Sequence, residues 1–164
     1  MAKSTERKSE IQNPKSAIRS GRQPGNARSP ASDSSEKIRL IAAAAGARWK
    51  AVAPYSKFRV GAALLTRSGA VITGGNVESA SYGLTCCAER VALFKALTEG
   101  ARGFAAVAVV ARAPGGAMPC GACRQLLAEY APGAKVWVAD SRCLTKVRAF
   151  TVERLLPGAF RRVP

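Results

Sequence analysis

Large apolar residues are scarce at the start of the chain, where no Leu, Val, Phe, Tyr or Trp occurs before Leu40. Asp33 and Glu36 have the spacing of a helix capping box and predict a helix from there through about Lys50. Beyond it, short apolar runs typical of strands alternate with segments of helical character. Strands are predicted over 59–66, 70–73, 104–111, 135–139 and 147–150, and further helices over 87–97, 121–130 and 151–156. This alternation indicates an α/β fold in which helices pack on a mixed or parallel sheet.

Residues 1–35 differ in composition from the rest, with eight Ser, three Pro and two Gly. A segment this poor in apolar residues cannot bury enough surface to offset its ordering entropy. We therefore expect a disordered basic tail over 1–35, with net charge +4, and one folded domain over 36–164, with net charge +12. The tail is a solvated extension, an RNA-binding segment or a targeting peptide. Glu6 and Glu10 weaken the targeting interpretation, since transit peptides are poor in acids.

Composition excludes several classes of protein. The chain has 164 residues, a length that suits one domain. No His is present, which excludes Ser-His-Asp triads, Cys-His dyads and His metal ligands. No uncharged apolar run approaches the roughly 18 residues of a membrane helix, and no early apolar stretch resembles a secretory signal. Five Cys without such a signal indicate reduced thiols and a cytoplasmic protein.

Cysteine residues occur at two predicted helix starts: Cys87 opens one helix, and Cys120 and Cys123 open another as a C-x-x-C pair. One helical turn places the sulfurs of such a pair on the same side, and a helix N-terminus favours the thiolate. A third thiolate from the other helix would give zinc three protein ligands and an open fourth position, which is the catalytic arrangement. Glu89 lies at the same helix entry as Cys87, where both side chains can face one site, and is a candidate proton carrier.

Two other interpretations of these cysteines stay open at this point. An isolated C-x-x-C pair is often redox-active, although such motifs need no third Cys. A closed four-Cys structural zinc site would require Cys86 or Cys143, and neither completes a second C-x-x-C pair. These two residues are expected to be buried small apolar side chains.

Five segments of the chain carry a family resemblance through their order and spacing. They are Tyr55–Leu64, Asn76–Glu78 with Ala80 and Tyr82, Cys87–Arg90, Pro119–Gln125, and Leu155–Pro157 with Phe160. Together they resemble the cytidine deaminase family, specifically its small all-Cys zinc enzymes that act on free nucleosides.

The resemblance implies a three-layer α-β-α fold, with a mixed central sheet of about five strands and helices on both faces. It also implies an enzyme of pyrimidine salvage, for which residues 36–164 would be the catalytic domain. Such an enzyme uses one Zn²⁺ per chain to convert cytidine and deoxycytidine into uridine and deoxyuridine plus ammonia.

The resemblance further implies the roles of the residues at the metal. Cys87, Cys120 and Cys123 would hold zinc, while Glu89 would protonate the ring nitrogen and carry a proton to the departing ammonia. Three thiolates and Zn²⁺ sum to a charge of −1, and Arg90 beside the sulfurs would moderate it.

For the substrate, the resemblance implies a separate set of contacts. The backbone of Ala88 would meet the base carbonyl, Phe58 would form a wall against the base, and Asn76 and Glu78 would bind the ribose hydroxyl. Phe58 could instead be an ordinary core residue and Asn76 an ordinary turn residue.

Tyr82 and Phe160 resemble family positions that reach toward a neighbouring subunit's site. Phe160 could instead only cap the last helix. The resemblance thus implies a homotetramer with shared active sites that binds a small nucleoside and no membrane.

The same residues leave two other functions open. One is a deaminase of another aminated nucleoside, such as a nucleoside antibiotic, but the ordinary nucleoside is favoured by Phe58, Asn76, Glu78 and Phe160. The other is nucleic-acid binding or polynucleotide deamination driven by the net charge of +16. No aromatic residues interleave with the basic ones in the tail, and charge alone predicts only nonspecific, salt-sensitive binding.

Overall fold

The computed structural model describes residues 30–160, so residues 1–29 of the tail predicted over 1–35 lie outside the described part. Four helices, five strands and one short 3₁₀ turn (Tyr82–Leu84) follow one another along the described residues. They are α1 (Pro30–Arg48), β1 (Val60–Thr66), β2 (Val71–Gly75), α2 (Ala88–Thr98), β3 (Phe104–Ala111), α3 (Gly121–Tyr130), β4 (Lys135–Asp140), β5 (Cys143–Thr151) and α4 (Val152–Leu155).

The five strands form one mixed sheet in the order β2-β1-β3-β4-β5. β1 pairs antiparallel with β2 and β3, β3 pairs parallel with β4, and β4 pairs antiparallel with β5. The parallel pair is joined through α3, as a parallel connection requires a crossover.

Successive residues of the central strands alternate between two apolar clusters, one on each face of the sheet. On one face, Leu64 and Val107 pack with α2 and α3 residues such as Leu93. On the other face, Leu65 and Ala108 pack with α1. The fold therefore has helix, sheet and helix layers, as the family resemblance implies.

Two glycines allow the helices to lie close to the sheet. A Cβ at Gly61 would overlap the carbonyl oxygen of Ala44 in α1. A Cβ at Gly74 would lie 2.5 Å from the backbone nitrogen of Ala92 in α2. Any side chain at Gly74 would therefore push α2 away from β2.

The main differences from the predicted elements lie at the two ends of the fold. α1 begins at Pro30 and not at Asp33, so Asp33 is not the helix cap and residues 30–35 are helical. Proline suits the first helical position because a backbone N–H there would have no acceptor within the helix, so its absence costs no hydrogen bond. β5 begins at Cys143, four residues before the predicted strand: Cys143 pairs with Asp140 of β4 after a shift in register, while the regular pairing with β4 starts at Val147.

Within residues 30–160, no helix combines the length and the apolar character that crossing a bilayer requires.

Candidate active site

A cavity of about 260 Å³ opens at the edge of the sheet where β1 begins and β2 and β3 end. The N-termini of α2 and α3 point to the same edge, since Cys87 and Cys120 precede these helices and line the cavity. Its volume is somewhat below the roughly 300–1,000 Å³ common for drug-sized ligands, so it suits one small molecule.

Seven of the predicted site residues line this cavity: Phe58, Asn76, Glu78, Cys87, Ala88, Glu89 and Cys120. Five further lining residues were missed: Val60, Thr85, Val109, Ala117 and Met118. Ala117 and Met118 could have been found from their position directly before Pro119-Cys120. The other three carry no signal in the sequence that separates them from ordinary strand and loop residues.

Three cysteine sulfurs meet at one end of the cavity. The Sγ atoms of Cys87 and Cys120 are 3.7 Å apart, and those of Cys120 and Cys123 are 3.5 Å apart. All three sulfurs lie within 4.8 Å of one another. Zinc–sulfur bonds of about 2.3 Å at tetrahedral angles place ligand sulfurs about 3.8 Å apart. The spacing of these sulfurs therefore fits one zinc ion.

The cluster has three sulfur donors and no fourth among the described residues, because Cys86 and Cys143 lie outside it. All five cysteines are free thiols. A set of three donors leaves one tetrahedral position open, which distinguishes a catalytic zinc site from a closed structural one.

The thiols of this cluster differ in pKa. The pKa of the Cys87 thiol is lowered to about 5, first by the hydrogen bond with Cys123 and then by the one from Arg90. The same bond to Cys87 and burial raise the pKa of the Cys123 thiol. The cluster therefore already stabilises one thiolate, and metal binding would release the remaining protons.

Glu89 lies beside the sulfurs in the second residue of α2. Its side chain is only 5% exposed and lines the cavity together with Cys87. Cys87 has an extended backbone, with φ −66° and ψ 153°, so a regular helical rotation does not separate the two side chains. Burial raises the pKa of the Glu89 carboxyl to about 7. Such a group can both take up and release a proton near neutral pH.

Arg90 contacts the sulfur cluster from the side of α2. Its Nη2 donates to the carbonyl oxygen of Thr85 at 2.6 Å and lies 3.8 Å from the sulfur of Cys87. Its Nε is buried and has no hydrogen-bond partner among the described residues. A cation held this close to the sulfurs fits a site whose donors are anionic.

Two polar side chains, Asn76 and Glu78, also line the cavity. Asn76 is 7% exposed; its Oδ1 accepts from the Val60 amide at 2.7 Å, and its Nδ2 donates to the Phe58 carbonyl at 3.1 Å. Glu78 accepts hydrogen bonds from the backbone amides of Tyr55 and Ser56, at 2.9 and 3.2 Å, and from the Ser56 hydroxyl. That hydroxyl is the main cause of the lowered pKa of the Glu78 carboxyl, which therefore stays ionised.

Four predicted site residues do not line the cavity: Cys123 and Arg90, which lie at the sulfur cluster, and the exposed Tyr82 and Phe160. Tyr82 is 83% exposed on the 3₁₀ turn, and Phe160 is 71% exposed near the end of the described chain. The Phe160 carbonyl accepts a hydrogen bond from Gln125 at 2.8 Å, which ties this segment to α3. The predicted role of Tyr82 and Phe160 at a neighbouring subunit's site stays a prediction.

Residues 34–139 match the family model of the cytidine and deoxycytidylate deaminase zinc-binding region. The chain is 53% identical over 122 residues to a cytidine deaminase of Halalkalibacterium halodurans, covering 74% of this chain and 91% of the relative. It is 48% identical to a cytidine deaminase of Sporosarcina psychrophila, covering 74% of this chain and 89% of the relative. The crystal structure of cytidine deaminase from Burkholderia pseudomallei superposes with a TM-score of 0.71 at 52% identity, covering 74% of this chain and 97% of that one.

Proposed function

The chain belongs to the cytidine and deoxycytidylate deaminase family, and from that premise we propose that it deaminates cytidine and deoxycytidine hydrolytically with the help of zinc. The products are uridine or deoxyuridine and ammonia. The observation that carries the proposal is the buried Glu89 carboxyl, which shares one cavity with sulfurs at the spacing of zinc ligands.

Cys87, Cys120 and Cys123 are the residues that would hold the metal. When bound there, zinc supplies an activated water molecule for attack on C4 of the cytosine ring. The helix N-termini that carry these cysteines favour their thiolate forms.

Glu89 moves the protons of the reaction. Its carboxylate accepts a proton from the attacking water and gives it to N3 of the ring. A second proton from the same water passes through Glu89 to the exocyclic amino group, which leaves as ammonia. A carboxyl whose pKa is about 7 suits both transfers, because its protonated and ionised forms are similarly populated at neutral pH.

The base is oriented by the backbone and by an aromatic wall. Ala88 is fully buried at the first position of α2, where its N–H has no partner within the helix. This N–H is therefore suited to meet the base carbonyl. Phe58 lines the cavity and would stack on or wall off the base.

The ribose is bound in the cavity by polar side chains. Asn76 and Glu78 both line it, and the ionised Glu78 accepts a hydrogen bond from a ribose hydroxyl. Asn76 keeps one amide N–H beyond the one it donates to Phe58, and this N–H can reach the sugar.

A homotetramer and a role in pyrimidine salvage complete the proposal. The exposed rings of Tyr82 and Phe160 would then reach the site of a neighbouring subunit. We place the enzyme in the cytoplasm, which suits five free thiols. Nucleic acid would bind only nonspecifically, through the basic surface.

The test is the loss of cytidine's ultraviolet absorbance on incubation with purified protein whose zinc content is measured on the same sample. We expect turnover at one zinc per chain, loss of turnover after chelation and recovery on adding zinc. A protein with full zinc occupancy that leaves cytidine intact would contradict the proposal. Turnover of an aminated nucleoside antibiotic or of single-stranded RNA would then identify the alternative function.

A further inference from the structure

The two carboxylate oxygens of Glu78 are held in different ways. Oε2 accepts both backbone amides, from Tyr55 at 2.9 Å and from Ser56 at 3.2 Å. Among the described residues, Oε1 accepts only the hydroxyl of Ser56. Removing that hydroxyl would leave Oε2 anchored and release Oε1, so Ser56 controls how the carboxylate is turned in the cavity.

The same hydroxyl also holds the aromatic wall. The amide of Phe58 donates to Ser56 Oγ at 2.9 Å. A serine hydroxyl has one proton to donate and lone pairs that accept, so it can serve Glu78 and Phe58 at once. Ser56 thus links the acceptor for the sugar to the wall for the base.

The backbone between these two contacts is in an uncommon conformation. Lys57 has φ +58°, in the left-handed region that non-glycine residues rarely adopt. The Phe58 carbonyl is held independently by Asn76. The hydrogen bond from the Phe58 N–H to Ser56 therefore holds the other backbone polar group of this residue.

We propose that Ser56 is a positioning residue for substrate binding, which orients Glu78 Oε1 toward the ribose hydroxyl. The inference rests on the proposed function, in which Glu78 binds the ribose. Among the described residues, Ser56 has no hydrogen bond to the metal ligands or to the proton carrier, so its effect falls on binding and not on proton transfer.

The experiment compares two substrates in the zinc-loaded full-length enzyme. Cytidine carries the 2′ and 3′ hydroxyls of ribose, whereas 2′,3′-dideoxycytidine lacks both and keeps only the 5′ hydroxyl, so a contact of Glu78 with a 2′ or 3′ hydroxyl is absent. Ser56→Ala should raise the KM for cytidine about three- to tenfold, the range of one to two hydrogen bonds, with kcat within about twofold of wild type. For dideoxycytidine, kcat/KM should change by no more than about twofold, because Asn76 still holds the Phe58 carbonyl and only the contact to the sugar is lost.

Two further variants separate positioning from folding. Ser56→Thr keeps the hydroxyl and should restore most of the cytidine KM. Ser68→Ala removes a serine hydroxyl whose hydrogen-bond partner among residues 30–160 is Thr66, in the remote β1–β2 turn, and should leave both substrates unaffected. If Ser56→Ala does not fold, Ser56→Cys repeats the test, because a thiol is a weak donor of similar size.

An equal loss on cytidine and dideoxycytidine would overturn the inference, as would a fall in kcat without a change in KM. Failure of the proposed function would give a different result. Wild-type enzyme that turns over both substrates equally well would contradict the binding of a ribose hydroxyl by Glu78. Wild-type enzyme that turns over neither substrate would contradict the deaminase activity.

Discussion

Arg90 is expected to strengthen zinc binding through its charge. Its Nη2 lies 3.8 Å from the Cys87 sulfur and donates to the Thr85 carbonyl at 2.6 Å. Arg90→Gln removes the charge and retains an amide that can still donate to that carbonyl. Arg90→Lys retains the charge on a different donor geometry.

The size of the effect follows from the distance. Two unit charges 3.8 Å apart attract by about 4 kcal/mol at an effective dielectric constant near 20. The net loss is smaller, because water and the retained hydrogen bond compensate in part. Substitution of residues that contact metal ligands typically costs about 10–100-fold in metal affinity, and we expect Arg90→Gln to fall in that range and Arg90→Lys closer to wild type.

The assay is zinc competition between the protein and a chromogenic chelator at fixed pH and ionic strength. Arg102→Gln is the matched control. Arg102 follows the C-terminal end of α2, far along the chain from the sulfur cluster, and donates to the carbonyls of Leu97 and Ala101. This control should bind zinc as wild type does. Zinc affinity within twofold of wild type for a folded Arg90→Gln protein would refute the reasoning.

Three further outcomes are expected. Cys120→Ala should lose stoichiometric zinc and stability, whereas Cys143→Ala, outside the sulfur cluster, should retain full zinc by metal analysis; zinc retention in the first variant would contradict the ligand set. Gly74→Ala should lower the unfolding free energy by about 1–3 kcal/mol in urea titrations, since its Cβ would lie 2.5 Å from backbone of α2; an unchanged midpoint would show that α2 adapts freely. Folding lowers the pKa of Glu78, so the contribution of its carboxylate to the free energy of unfolding is complete above about pH 4.3 and is lost as pH falls through the folded pKa. The unfolding free energies of wild type and Glu78→Gln, measured in urea titrations, should therefore converge at low pH. A difference that grows on acidification would reverse the assigned sign.

The elements with the clearest sequence boundaries were predicted to the residue. β3 is a continuous apolar run from Phe104 to Ala111, preceded by Gly103, and α3 begins directly after the Pro119-Cys120 turn. In both cases local sequence and tertiary packing favour the same structure.

The ends of the fold depend on contacts that local sequence does not reveal. Asp33 pairs with Lys135 at 2.6 Å, more than a hundred residues away, and lies inside α1 instead of capping it. The first four residues of β5 lack an alternating burial pattern, and only Cys143 among them pairs with β4, across a shift in register, so local sequence does not identify them as a strand.

The candidate site shows the same division. Cys87, Glu89, Cys120 and Cys123 could be grouped from their spacing and helix starts, because a helix entry constrains where its first side chains point. The contacts of Ser56 could not be predicted, since they depend on a loop whose conformation passes through the left-handed backbone of Lys57.

Uridine formation by zinc-loaded wild-type and Glu89→Gln protein, with zinc measured on the same samples, tests the proposed chemistry most directly. Glu99→Gln, at the exposed end of α2, is the matched control. We predict one zinc per chain in all three proteins, with kcat lowered at least about 10²–10⁴-fold in Glu89→Gln alone. Near-normal deamination by Glu89→Gln would contradict the assignment of Glu89 as the proton carrier.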